Sequence, residues 1–152
     1  MNSCFRYIIP AVVCILALAL ISGAVMADDS GRRGELIHTS TVDGYELAYH
    51  LIDMHGAGAK MEAKDSLGGQ KPTHHLMLYV TAPGGQTVDQ AKTGFLIQGP
   101  DDRTQKAMAM AMSGGYGADI SLQASGEYTI KAKVVSGEKS LIDGFVYQQD
   151  HQ

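Results

Sequence analysis

Between Ala107 and Met112 alanine and methionine alternate strictly, three of each, within the stretch TQKAMAMAM. No helix face collects every second residue, whereas a β-strand sends alternate side chains to opposite faces. The stretch therefore reads as a strand with one thioether face and one methyl face. The larger apolar side chain is expected to face inward, so Met108 and Met110 are assigned to the core, with methionine in its usual role of filling irregular gaps. Met112 borders the Ser113-Gly114-Gly115 turn and is placed nearer a rim.

The same period of two recurs along the chain. ELIHTSTV and YELAYHLIDM flank an Asp43-Gly44 hairpin signal, and Tyr45, Leu47, Tyr49 and Leu51 share one face of the second. THHLMLYVTA puts His74, Leu76, Leu78 and Val80 on one face and His75, Met77 and Tyr79 on the other. AKTGFLIQGP, YGADISLQA, GEYTIKAKVV and SLIDGFVYQ complete the set, each bounded by Gly, Pro, Ser or Asp. In YGADISLQA, Ala118, Ile120 and Leu122 are predicted inward, and Asp119, Ser121 and Gln123 toward water. Short strands at regular spacing predict an all-β domain, an immunoglobulin-like antiparallel β-sandwich of about seven strands, with a small barrel as the second choice. HGAGAKMEAKDSLGGQKP, residues 55–72, has no such period and reads as a long loop.

Before the first strand, MNSCFRYIIPAVVCILALALISGAVMA has a positive residue, an apolar run and small residues at its end, the parts of a cleavable signal peptide over 1–27. A flexible leader over 28–34, a sandwich domain over 35–148 and a tail over 149–152 follow. Localisation is then periplasmic or secreted, and the membrane is a partner only through the signal segment if it stays uncleaved. Both cysteines, Cys4 and Cys14, lie in that segment, so the exported part has none. The formal net charge is −4 and no basic patch stands out, which argues against nucleic acid as a partner.

No enzyme is predicted. The exported part has no thiol nucleophile, and the chain has no G-x-S-x-G elbow, phosphate-binding glycine motif or H-E-x-x-H pair. What it does have is all six histidines and six of the eight methionines. Imidazole and thioether are the soft and borderline donors that remain when cysteine is absent, and thioether suits Cu(I). His75 and Met77 share a strand face about 7 Å apart, a spacing that lets two side chains converge on one ion. Met54 and His55 close the preceding strand, and Met61 lies in the loop. If the strand bearing Met110 and Met112 neighbours the His75 strand, thioethers and imidazoles would meet at one sandwich end. The candidate metal ligands are therefore His75, Met77, Met112, Met110, Met54, His55 and Met61, with copper as the ion. His74 reads as a buried, satisfied histidine, His50 as an ordinary exposed strand residue, and His38 and His151 as solvated.

The stretch from THHLM to KAKVV resembles the small exported sandwiches of the YtkA-like and FixH-like kind. The likeness lies in a strand led by His75 and a G-x-x-V-x-x-A-x-x-x-F connection (Gly85, Val88, Ala91, Phe95). A Met-bearing strand follows, then Y-G-A-D and G-E-Y-T-I. The resemblance implies copper handling and cytochrome oxidase assembly, with His75 and the Met110–Met112 region as ligands; a protein partner in the envelope for metal transfer is expected. The function expected is soft-metal binding or delivery. The alternative is a metal-free envelope interaction or assembly module with a methionine-rich core.

Overall fold

The structure is a computed structural model and describes residues 33–54 and 71–150. The signal segment, most of the leader, His55, Met61 and His151 lie outside the described residues. Eight strands follow one another: β1 (Glu35–Val42), β2 (Tyr45–Asp53), β3 (His74–Thr81), β4 (Lys92–Gln98), β5 (Thr104–Met112), β6 (Gly115–Ile120), β7 (Gly126–Ser136) and β8 (Lys139–Gln149). All paired neighbours are antiparallel, in the order β1-β2-β3-β6-β5-β4-β7-β8. The all-β antiparallel sandwich is as the alternation predicts, with strands bounded close to where the turn residues place them.

Two hairpins show why. Asp43 and Gly44 both take positive φ (51° and 81°), as do Ser113 and Gly114 (49° and 77°). Positive φ at both central residues is the two-residue turn whose twist matches the flanking strands. The inward faces then form one core of Leu47, Tyr49, Leu51, Leu76, Leu78, Val80, Phe95, Ile97, Tyr116, Ile120, Leu122, Tyr128, Ile130 and Val134, with Ala107, Ala118, Ala132 and Leu141 between them. Tyr128 anchors the entry to β7: its hydroxyl accepts the Ala124 N–H (3.1 Å) and donates to the Ala124 carbonyl (2.9 Å). That is a tyrosine corner, a recurrent device of Greek-key sandwiches.

β5 joins the two halves of the sandwich. Its first part, Thr104–Ala109, pairs with β4, and its last three residues, Met110–Met112, pair with β6. Where β5 has parted from the line of β6, the Gln105 side chain takes over. Its amide donates to the Ser121 carbonyl (2.6 Å) and its oxygen accepts the Ser121 N–H (2.9 Å). Ser121, expected to face water, is buried, and its hydroxyl has no hydrogen-bond partner among the described residues.

The core assignment of Met108 and Met110 does not hold. They are 74% and 68% exposed, while Ala107 is buried and Ala109 half-buried against the core; Ala111, next to the turn, is exposed. Cross-strand size matching is the reason. On the inner face Ala107 lies opposite Phe95, a bulky ring. On the outer face Met108 lies opposite Gly94, Met110 opposite Gly117 and Met112 opposite Gly115. A core filled to close-packed density has no room for methionine beside the Phe95 ring, so alanine is the residue that fits at 107.

The two ends of the strand order, β1 and β8, are tied by side chains. Asp143 of β8 accepts hydrogen bonds from the Ser40 hydroxyl of β1 and the Tyr49 hydroxyl of β2. Beside it His38 stacks on Phe145, ring centroids 4.2 Å apart. His38 is therefore part of the closure rather than solvated. His50 is likewise half-buried, its Nδ1 3.2 Å from the Gly34 carbonyl and its ring edge-on to Tyr79. Burial pushes the Asp143 carboxyl up, but the Ser40, Tyr49 and Gly144 hydrogen bonds and the nearby His38 outweigh it, and its pKa ends below the ordinary value.

Two outcomes are expected. Tyr128→Phe leaves the Ala124 N–H and carbonyl unpartnered and lowers stability by about 1–3 kcal/mol, read as a lower urea midpoint. A carboxyl depressed by folding stabilises the native state above its unfolded pKa of about 4, and that contribution disappears as pH falls through the lower native value. The stability difference between wild type and Asp143→Asn should be largest near neutrality and shrink below pH ~4 in denaturation curves across pH.

Candidate metal site

The outer face of the β3–β6–β5 region carries the donors. β5 does not adjoin β3, the condition on which the sequence reading let the donors meet; β6 lies between them. The two can still meet because β6 has no side chain at the crossing point. Gly117 is opposite Met77 on one side and Met110 on the other. A Cβ placed on Gly117 would stand 2.4 Å from His75 Nε2, 2.6 Å from Met77 Sδ and 3.0 Å from Met112 Sδ. One imidazole nitrogen and two thioether sulfurs thus crowd the space that any other residue would fill. The site is on a sheet face, not at a sandwich end.

The electrostatics of the imidazole are set by Asp119, directly opposite His75 in the β3–β6 register. Its Oδ1 is 2.7 Å from His75 Nδ1. A carboxylate oxygen accepts, so Nδ1 is the donor, and in the neutral ring this tautomer leaves Nε2, the nitrogen beside Gly117, with its lone pair. A carboxylate behind a histidine that presents its other nitrogen is the arrangement that orients metal-ligating imidazoles. The His75 side chain is 18% exposed and Asp119 35%. Met77 is only 3% exposed although it points away from the core. The adjacent His74 points inward and is satisfied as expected. The Thr73 hydroxyl accepts the Leu122 N–H (2.8 Å) and is hydrogen-bonded to His74 Nδ1 (2.8 Å).

Of the ligands read from the sequence, His75, Met77 and Met112 are brought together. Met110 is the register partner of Gly117 but stands out toward solvent. Met54 follows β2, its N–H bonded to the Thr73 carbonyl, and is not among the three side chains nearest the space over Gly117. Asp119 was missed, because only the pairing of β3 with β6 reveals that it faces His75. Gly117 was missed too, although the alternation of Gly115 and Gly117 in GGYGAD marks a strand face without Cβ atoms. Among the described residues no three His, Cys, Asp or Glu side chains group as a metal cage. The donor set is one neutral imidazole and two neutral thioethers, which suits a soft monovalent ion better than a hard divalent one.

The site opens into a groove of about 680 Å³ along the outside of β5, lined by Met108, Met110 and Met112 and edged by Lys106, Lys131 and Lys133. Fold and site together define a small antiparallel β-sandwich with a soft-donor cluster on one outer sheet face. No protein-family model matches the sequence, and no curated protein does. Solved structures share the fold. FetP of uropathogenic Escherichia coli, as isolated, superposes with a TM-score of 0.54 at 14% identity, over 75% of this chain and 93% of that one. A copper-bound variant of P19 from Campylobacter jejuni gives 0.51 at 15% identity, over 76% and 96%. A DUF4426 family protein from Pseudomonas aeruginosa gives 0.53 at 11% identity, over 74% and 96%. At such identities the likeness is one of fold.

Gly117→Ala tests the convergence directly. The added methyl must push His75 and Met77 aside. The expected result is a folded protein destabilised by about 1–3 kcal/mol whose affinity for a soft ion, measured with Ag(I) by calorimetry, falls about tenfold or more because the ligands sit about 1 Å out of place.

Proposed function

We propose that this chain is an exported, non-enzymatic copper-binding sandwich that holds Cu(I) at His75 Nε2, Met77 Sδ and Met112 Sδ and passes it to a protein partner in the cell envelope. The observation that carries the reading is the meeting of those three donors over the bare backbone of Gly117. Asp119 holds the imidazole in the tautomer that leaves Nε2 free to bind. Neutral thioethers bind Cu(I) without losing a proton, and they cannot be consumed by disulfide formation in an oxidising compartment. Two of the fold relatives, variants of FetP and P19, are copper-bound, and FetP was produced in a periplasm. The layout shared with YtkA-like and FixH-like domains points the same way. The metal-free alternative draws its case from a methionine core, and the exposure of Met108 and Met110 removes most of that case.

Titration of Cu(I) against a competing chromophoric chelator tests the proposal. Tight one-to-one binding is expected, weakened about a hundredfold, or roughly 2.8 kcal/mol, in His75→Ala/Met77→Leu. Asp119→Ala should cost about 10–100-fold while leaving the stoichiometry unchanged. No competition by the wild-type protein would sink the copper reading and return the search to protein partners.

A further inference from the structure

Met108 and Met110 are the two large apolar side chains on β5 that neither fill the core nor belong to the donor trio. They stand on the same face as Met112, at successive steps of about 7 Å. Met108 lies against Gly94, its Sδ 3.3 Å from where a Cβ would be, and Met110 lies opposite Gly117, the residue over which the trio meets. All three methionines line one groove that runs from open solvent to His75. A hydrophobic face alone could be built from branched residues with better strand propensity. Methionine adds a flexible stem and a soft donor.

Resting on the copper-binding reading above, we infer that Met108 and Met110 are loading ligands, a thioether track by which Cu(I) enters and leaves the His75–Met77–Met112 site. Copper arriving at the groove mouth binds the exposed sulfurs first. The Cu–S bond to Met110 then breaks as the bond to His75 Nε2 forms. Copper stays Cu(I), and no proton moves, because the imidazole proton already sits on Nδ1 facing Asp119. Lys106, Lys131 and Lys133 edge the same groove. Their charge disfavours a free cation and favours an anionic carrier, on a chain whose net charge is otherwise negative. A track lowers the barrier in both directions and leaves the equilibrium where it was.

The test uses the folded domain and the anionic bis-bicinchoninate complex of Cu(I) as donor. Stopped-flow absorbance follows transfer into the protein, and excess chelator follows its return. Met108→Leu/Met110→Leu keeps size and apolarity at two exposed positions, so folding and any merely hydrophobic docking are retained. Expected is a fall of about tenfold or more in both the forward and the return rate, with the equilibrium affinity unchanged within about twofold. Unchanged rates would overturn the track. So would a loss of affinity with an unchanged forward rate, which would make the two residues resident ligands. If the wild-type protein takes up no Cu(I), the copper reading itself fails and the track with it; tight wild-type binding with unaltered variant kinetics fails the track alone.

Discussion

The absent side chain at Gly117 is the constraint on which the site depends. β6 separates the strand that carries His75 and Met77 from the strand that carries Met112. Side chains on strands two apart in a sheet are ordinarily held nearly 10 Å apart by the residue between them. With only a hydrogen on Gly117, the imidazole and both sulfurs lean over the middle strand and meet. The cost is the one glycine always brings to a strand, a loss of packing and a gain in unfolded-chain entropy. Here the vacated space is filled by the very side chains that it lets in.

The same rule of large against small orders both faces of β5. Ala107 fits beside Phe95 on the inside, while methionines extend over Gly94, Gly115 and Gly117 on the outside. Because the strand divides its hydrogen bonds between β4 and β6, it also couples the groove to both halves of the sandwich. The Gln105 bridge to Ser121 keeps the parted stretch satisfied, as buried backbone groups require. The outer face of β5 can therefore carry soft donors without weakening the core, which closes independently through Asp143, Ser40, Tyr49 and the His38–Phe145 stack.

Chemically the site is poor in charge. Two thioethers and an imidazole supply no negative charge to an ion, and the carboxylate of Asp119 acts through the imidazole ring. This favours an ion of low charge and soft character over the harder ions that dominate most protein sites. It also makes exchange easy, since each donor is neutral before and after it binds.

Much of this was legible in the residues alone. Alternation and turn residues defined the strands, because a side-chain period of two and the φ > 0 turn positions are properties of the local chain. They also paired His75 with Met77 on one face and set His74 on the other. Which face of AMAMAM is buried was a different kind of question. Apolar alternation is symmetric when both faces are apolar, and the answer came from the sizes of Phe95, Gly94 and Gly117 on neighbouring strands. For the same reason Asp119 and Gly117 became part of the site only through register. The chain itself determined its strands and the chemical type of its donors; tertiary pairing decided which donors meet, because contact between strands depends on neighbours that no local pattern names.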